Sequence, residues 1–466
     1  MVEYILSIYR IAQIRWTMRT YLLALVPLSL LLGLFLLAQG AYGGLDKSGV
    51  KAAEISPNGF DSALNYSYED IDAHAIQAPN GAEASLDSLA AYLTAPCKND
   101  REKARVIYRW TTDRITYDVQ GYSTGSYGNL APEEVLKDRS SVCEGYVGLF
   151  RALAERSGLK STEIRGYAKG FNYVAGFSLS EANHAWNAVS INGSWYLIDP
   201  SWGSGSLAED GHFNKSFDPH YFMTPPEEFI YDHLPEEEQW QLLDKPVSKR
   251  EFEERVYVKP EYFKYGIKAI SHQNAVIDAE GPVCVVLYVP EGIILSTRLT
   301  RLGDGNVISP DGSAGSLPAI FDQREDDLYK AYALPSSSGA YLFKIFAKPG
   351  DSPGNYQWAM EYRLNISKDI EGESYPMTYG VFSKRNVRLY APMEGCLRPG
   401  AVQMFKLSVP GAESVACVNG GQWTYLTEKD GLFGGEVTPI EGELTVCAMF
   451  QGKEDYSGLL KYAVKK

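Results

Sequence analysis

The spacing of apolar positions divides this chain into a helical part followed by a strand-rich part. From Ala84 the apolar residues fall three and four apart, in "ASLDSLAAYLTA" and, beyond Pro96, in "NDREKARVIYRWTTDRI". That spacing predicts two amphipathic helices, with Asn99 or Asp100 as the cap of the second. A Gly/Ser/Tyr loop follows, "TYDVQGYSTGSYGNL", and Pro132 opens a short helix, "PEEVLKD". The next helix begins inside "RSSVCEGYVGLF". Val142, Tyr146, Leu149, Phe150, Leu153 and Ala154 make one apolar stripe, and Ser141 and Glu144 have the spacing of a capping box. Arg156 falls in the last turn and Gly158 is placed to end it. Beyond this helix the period shortens to that of strands in "TEIRGYAKGF", "HAWNAVSI" and "SWYLIDPSW".

Asn192-Gly193, lying between two of these runs, predicts a tight hairpin. Ile191 then faces Ser194, Trp186 faces Asp199, and His184 faces Ser201. His184 and Asp199 become diagonal neighbours on one face, with Cα atoms about 7–8 Å apart. Residues 205–250 form a long connection, including "YFMTPPEEFIYDHLPEEEQWQLL", that reads as a strap over the domain. From about residue 252 the chain is short strands and turns, and it repeats. "GPVCVVLYVP" matches "GAVQMFKLSVP", "GAYLFKIFAKPGD" matches "GELTVCAMFQGKED", and "YQWAMEYRL" matches "YSGLLKYAV". The offsets, roughly 100–120 residues, are those of one small β-sandwich, which favours two in tandem over a single irregular β domain.

The N-terminus follows another pattern. Arg10, Arg15 and Arg19 precede an apolar run over residues 21–38 that ends in Ala38-Gln39-Gly40. This reads as an export signal, with an uncleaved membrane anchor as the alternative. Either places the body outside the cytoplasm. The expected organisation is a leader at 1–40, a linker at 41–83, a catalytic domain with its strap at 84–251, and β-sandwiches at 252–370 and 371–466.

Formal net charge is −14, and loss of residues 1–40, with three Arg and one Glu, makes it −16. Such a surface repels nucleic acid and anionic lipid. Six cysteines, at 97, 143, 284, 396, 417 and 447, form no CxxC pair or metal-knuckle spacing. An extracytoplasmic address permits disulfides, and a Cys417–Cys447 bridge is one option, although spacing alone does not fix connectivity.

Three residues from separate blocks carry the chemistry. Cys143 lies in the first turn of its helix, where unpaired N–H groups and the helix dipole favour a thiolate and an oxyanion. His184 follows as a base, and Asp199, on the same face of its hairpin, as the group that orients it. Zinc draws on the same residue types, but a cysteine at a helix start suits nucleophilic attack better. His212, His220 and His233, in the strap, lack a metal-like spacing and read as structural, as do Asn183 and Asn187.

"VCEGYVGLFRALAERSGL", "NHAWNAVSINGSWYLIDPSWG" and the upstream "RVIYRWTTDRITYD" resemble the three blocks of a transglutaminase-like cysteine domain. The strap segment and the β repeats resemble the kyphoscoliosis-peptidase branch, in which immunoglobulin-like modules follow the core. The resemblance implies an α+β papain/transglutaminase-like core followed by two all-β immunoglobulin-like sandwiches. It also implies Cys143 as nucleophile, His184 as base and Asp199 as orienter. Trp186 and Trp202 would wall the cleft, and Gln120 and Tyr117 are the oxyanion candidates. The expected function is an exported cysteine enzyme acting on protein or peptide carboxamides through a thioester, with hydrolysis slightly favoured over amine transfer and no metal or organic cofactor implied. A catalytically silent scaffold on the same fold is the alternative.

Overall fold

The helical stripes pack on one another first, and the strands then close over them. The computed structural model describes residues 66–171, 173–208, 211–303, 307–308, 318–370 and 373–466. The leader or anchor expected at 1–40 and most of the linker lie outside the described residues. No helix among the described residues is long and apolar enough to cross a membrane.

The expected linker gives way to ordered structure before its end. Helix α1 (Glu69–Ile76) buries Ile71 and Ala75, and its Asp72 carboxylate takes both arms of the Arg105 guanidinium at 2.8 and 2.7 Å. With three acidic residues in its first turn and two buried positions, it carries little apolar period for a sequence reading to find. Helix α2 (Leu86–Thr94) is capped by Ser85, and α3 (Asp100–Arg114) by Asn99, whose side chain accepts from the Glu102 N–H. A two-residue strand β1 (Thr116–Tyr117), α4 (Val119–Thr124), α5 (Pro132–Asp138) and β2 (Ser140–Ser141) lead to α6 (Cys143–Arg156). Leu89, Leu93, Ile107, Trp110, Tyr146, Leu149, Phe150 and Leu153 share one core.

Strands β3 (Lys160–Ala168), β4 (His184–Ile191) and β5 (Ser194–Ile198) form an antiparallel meander against α6. The Asn192-Gly193 turn has positive φ at both positions, 52° and 85°, as the tight hairpin requires. Its register is the expected one, with Ile191 opposite Ser194 and Asn187 opposite Ile198. The strap does more than cover the domain. After a hairpin of β6 (Gly205–Leu207) and β7 (Phe213–Lys215), it supplies β8 (Phe222–Thr224) beside β5. It then passes through the short helix α7 (Pro226–Phe229) and adds β9 (His233–Pro235) beside β3. The sheet therefore runs β8-β5-β4-β3-β9, with a strap strand on each edge.

Two sandwiches follow, each a six-stranded sheet facing a four-stranded one, with the same strand order. In each, a short strand pairs parallel with the last strand: Val276–Ala279 with Gln357–Ile366, and Cys396–Leu397 with Ser457–Val464. The three repeated stretches occupy equivalent strands, Val283–Tyr288 with Gln403–Ser408, Gly339–Pro349 with Gly442–Phe450, and Gln357–Ile366 with Ser457–Val464. The Cys417–Cys447 bridge does not form, and all six cysteines are free. Cys417 pairs with Val446 and Cys447 with Ala416, a one-residue offset that sends the two thiols to opposite faces of their sheet.

The first sandwich is bonded to the helical domain through buried polar groups. The Tyr257 hydroxyl donates to the Lys169 carbonyl at 2.9 Å, and Lys169 Nζ donates to the Arg255 carbonyl at 3.1 Å. The Glu361 carboxylate accepts from the Ala175 N–H at 3.3 Å. Lys169 is fully buried, and burial pushes its amine down to about 7.

Candidate active site

Cys143 is the first residue of α6. The expected capping box is absent: Val142 occupies the N-cap position, and no side chain caps the helix. Ser141 is held instead in β2, paired with Tyr117, and its hydroxyl fills the space left by the missing side chain of Gly145. The Glu144 carboxylate is thereby free of capping and receives the Cys143 thiol at 3.0 Å. Cys143 is 3% exposed.

His184 opens β4, and Asp199 follows the end of β5. His184 Nε2 lies 2.6 Å from Asp199 Oδ2, so the diagonal pairing expected from the hairpin is made. The imidazole also feels Cys143, which stands close enough to favour its charged form. With Nε2 engaged by Asp199, Nδ1 is the nitrogen left for sulfur. Asp199 serves two purposes. Its Oδ1 accepts from the Ser201 N–H (2.9 Å), the Ser201 hydroxyl (2.7 Å) and the Trp202 N–H (3.0 Å), which shapes the Asp-Pro turn; its Oδ2 faces the imidazoles.

Burial opposes charge on both partners of this pair. For His184, burial favours the neutral ring, but the charge and hydrogen bond of Asp199, together with the neighbouring Cys143, raise it to about 9. Burial would raise Asp199, yet His184 and His233 hold it well below the usual carboxylate range.

His233 was read from the sequence as structural, and it belongs to the site. Its Nε2 lies 3.1 Å from the same Asp199 oxygen, and its Nδ1 lies 2.6 Å from Asp232 Oδ1. No local pattern could have revealed it, because the contact depends on β9 pairing with β3. Trp186 is a second correction. It is fully buried and packs against Phe229 and His233 beneath the site instead of walling a cleft. Trp202 is half-buried, its ring 5.2 Å from that of His184. Tyr117 stands near the thiol: burial and then Cys143 push its phenol well up. Gln120 is exposed on α4, where its backbone carbonyl accepts from Ser123 and Thr124. Asn183 and Asn187 bond backbone groups of β3 and α6, as structural residues do.

His184, Asp199 and His233 bring two ring nitrogens and a carboxylate oxygen within 4.8 Å of one another, the spacing of a metal group. Both nitrogens point at the one oxygen at hydrogen-bonding distance, so a proton accounts for each contact. Cys143, the ligand a zinc reading would need, is not in this group.

Residues 87–200 match the model of the transglutaminase-like superfamily, a span that holds Cys143, His184 and Asp199. Those residues form a transglutaminase-like domain. Residues 249–377, after the transglutaminase-like domain, match the KY-like, immunoglobulin-like domain. Kyphoscoliosis peptidase of Homo sapiens is 35% identical over 312 residues, 66% of this chain and 44% of that protein. Hillarin of Drosophila melanogaster is 31% identical over 301 residues, 60% of this chain and 36% of that one. Among solved structures, one of a TGase covers 37% of this chain and 40% of its own, at 15% identity and a TM-score of 0.20. The chain spans less than half the length of these curated relatives. The transglutaminase-like match stops short of His233.

Proposed function

We propose that this protein is an exported cysteine enzyme of acyl transfer that acts on protein or peptide carboxamides. One observation carries the reading: the His184 ring stands beside Cys143 and is bonded to a fully buried carboxylate. Cys143 first passes its proton to His184 Nδ1, forming a thiolate–imidazolium pair, and the sulfur then attacks the carbonyl carbon. The C–N bond then breaks, and His184 returns the proton to the leaving amine, leaving a thioester on Cys143. Water or a second amine attacks the thioester, His184 accepts its proton, and the thiol is released. The uncapped first turn of α6 offers N–H groups to the oxyanion, with Tyr117 beside them. The name peptidase, borne by two of the relatives, those of Homo sapiens and Mus musculus, favours water as the acceptor. The leader pattern supports an extracytoplasmic site of action, with anchoring through residues 21–38 as a variant of it.

In the resting arrangement the thiol donates to Glu144, so attack requires it to turn to His184. The near-complete burial of Cys143 favours one rival, a silent scaffold on the same fold. Iodoacetamide at pH 6 separates the two. An active thiol is alkylated rapidly, more slowly in His184→Ala, and intact mass shows no adduct on this residue in Cys143→Ala. A thiol that reacts only near the ordinary cysteine pKa of about 8.5 selects the scaffold.

A further inference from the structure

Asp199 carries a second imidazole that the reaction above does not use. We propose that His233 is a positioning residue for that reaction, a buried imidazolium clamped between Asp199 and Asp232 that shares the Asp199 charge with His184. The proposal rests on the acyl-transfer reading for its kinetic consequence, but not for the protonation state of His233.

The argument is one of donors and acceptors. An ionised carboxylate only accepts hydrogen bonds. His233 faces a carboxylate oxygen from each ring nitrogen, Asp232 Oδ1 at 2.6 Å and Asp199 Oδ2 at 3.1 Å. Both contacts are satisfied together when both nitrogens carry protons. The alternative, a proton on a carboxylate, is unfavourable at Asp199, whose two oxygens already accept from the Ser201 N–H and hydroxyl, the Trp202 N–H and His184. Asp232 accepts in addition from the Tyr221 hydroxyl at 3.2 Å. The His233 ring is fully buried and stacked on Phe229 at 4.1 Å, with Trp202 at 4.3 Å, so water does not offer another partner.

The surrounding charges are consistent with this. Asp199 and His184 face the ring from the hairpin, and Asp232 from its own strand entry. His220, ahead of β8, opposes a second positive charge. Tyr221 reaches the ring through Asp232, and Lys169 and Lys259 act on Asp232 from the far side. Burial works against the imidazolium, but Asp232 and then Asp199 outweigh it and raise His233 to about 9.

A lone buried Asp199 would bind the His184 proton tightly and so hinder its return to the leaving amine. A cation on the other side of the same oxygen weakens that hold. His233 therefore sets how readily His184 gives up its proton, without touching substrate.

Two measurements on the full chain test this. Nitrogen-15 histidine NMR of Cys143→Ala should show both His233 ring nitrogens protonated from pH 6 to 8. A singly protonated His233 at pH 7 overturns the proposal whatever the thiol does. The pH profile of Cys143 alkylation should have an upper limb, the loss of the His184 proton. In His233→Gln it should move alkaline by about one pH unit. Asp232→Asn, which keeps the ring and its packing, should shift it the same way. A uniform drop in rate with the limb unmoved in both variants would mean a merely structural histidine. An unreactive thiol in the wild type would sink the enzymatic reading and leave the NMR result standing.

Discussion

Gly166 is where the site's geometry can be tested with one methyl group. It sits in β3 between His184 of β4 and Pro235 of β9. A Cβ there would stand 2.2 Å from the Leu234 carbonyl oxygen, 2.5 Å from the Trp186 ring and 2.8 Å from Pro235 Cα. The first and third of these are backbone atoms that no rotamer change can move aside. Gly166→Ala must therefore push β9 away by about 1 Å to restore ordinary contact. His233 opens β9, so its 3.1 Å contact with Asp199 would stretch beyond hydrogen-bonding range. Overpacking of this kind costs about 1–3 kcal/mol. A displacement of this size beside the reacting groups is expected to slow Cys143 alkylation by about 10–100-fold. The assay is guanidinium unfolding with unchanged m-value, alongside iodoacetamide labelling at pH 6–7. Gly148→Ala is the control. It lies in α6, where an added Cβ meets only Leu130 O at 3.8 Å and Glu163 at 4.0 Å, and it should stabilise by about 0.5–1 kcal/mol through helix propensity. A Gly166→Ala protein that unfolds at the wild-type midpoint and labels at the wild-type rate would falsify the docking of β9 described above.

Further outcomes follow from the ionisable groups. His184 and His233 are raised from 6.5 to about 9, so the stability each adds is complete below pH 6.5 and lost as pH rises through 9. That loss is of order 3 kcal/mol for one such group, and a thermal midpoint flat from pH 6.5 to 9 would contradict it. Asp199 is depressed, so its contribution is present above pH 3.8 and fades on acidification below it. In the first sandwich, burial pushes Asp322 up to about 7, and its Oδ1 has no hydrogen-bond partner. Asp322→Asn should raise the melting temperature at pH 8, by about 2–4 kcal/mol of stability, and change little at pH 4; no gain at pH 8 counts against a strained carboxylate there. Glu144→Ala removes the thiol's resting acceptor and should speed alkylation several-fold at pH 6–7, whereas an unchanged or slower rate means the thiol does not rest on Glu144.

What the sequence made legible is what short-range physics fixes. The stripe from Val142 to Ala154 specified α6, and one Asn-Gly pair set a register that places Asp199 against His184. Three loose repeats located equivalent strands because sandwich strands alternate in and out wherever they occur. The rest depends on contacts between distant segments. His233 meets Asp199 across 34 residues through a strand only three residues long, "HLP", which carries almost no periodic signal. The Ser141 capping box had the right residues, but β2 pairing with Tyr117 claimed that serine first. Trp186 shares a face with His184, as alternation required, and alternation alone does not reveal that this face is covered by the strap.

The Lys169 amine has a consequence for where this protein can be divided. It sits without a carboxylate partner in a dry space walled by Phe252, with the Arg255 carbonyl as its acceptor. Ending the chain at residue 200, where the transglutaminase-like match stops, would remove those neighbours, both outer strands of the sheet and His233 itself. Ending it at 251 would still strip away Arg255 and the Tyr257 hydroxyl, leaving a greasy, cationic scar on the domain's flank. A piece that keeps these contacts therefore reaches at least through Ile366, and a protease that nicks the junction near Arg255 would damage both neighbours at once.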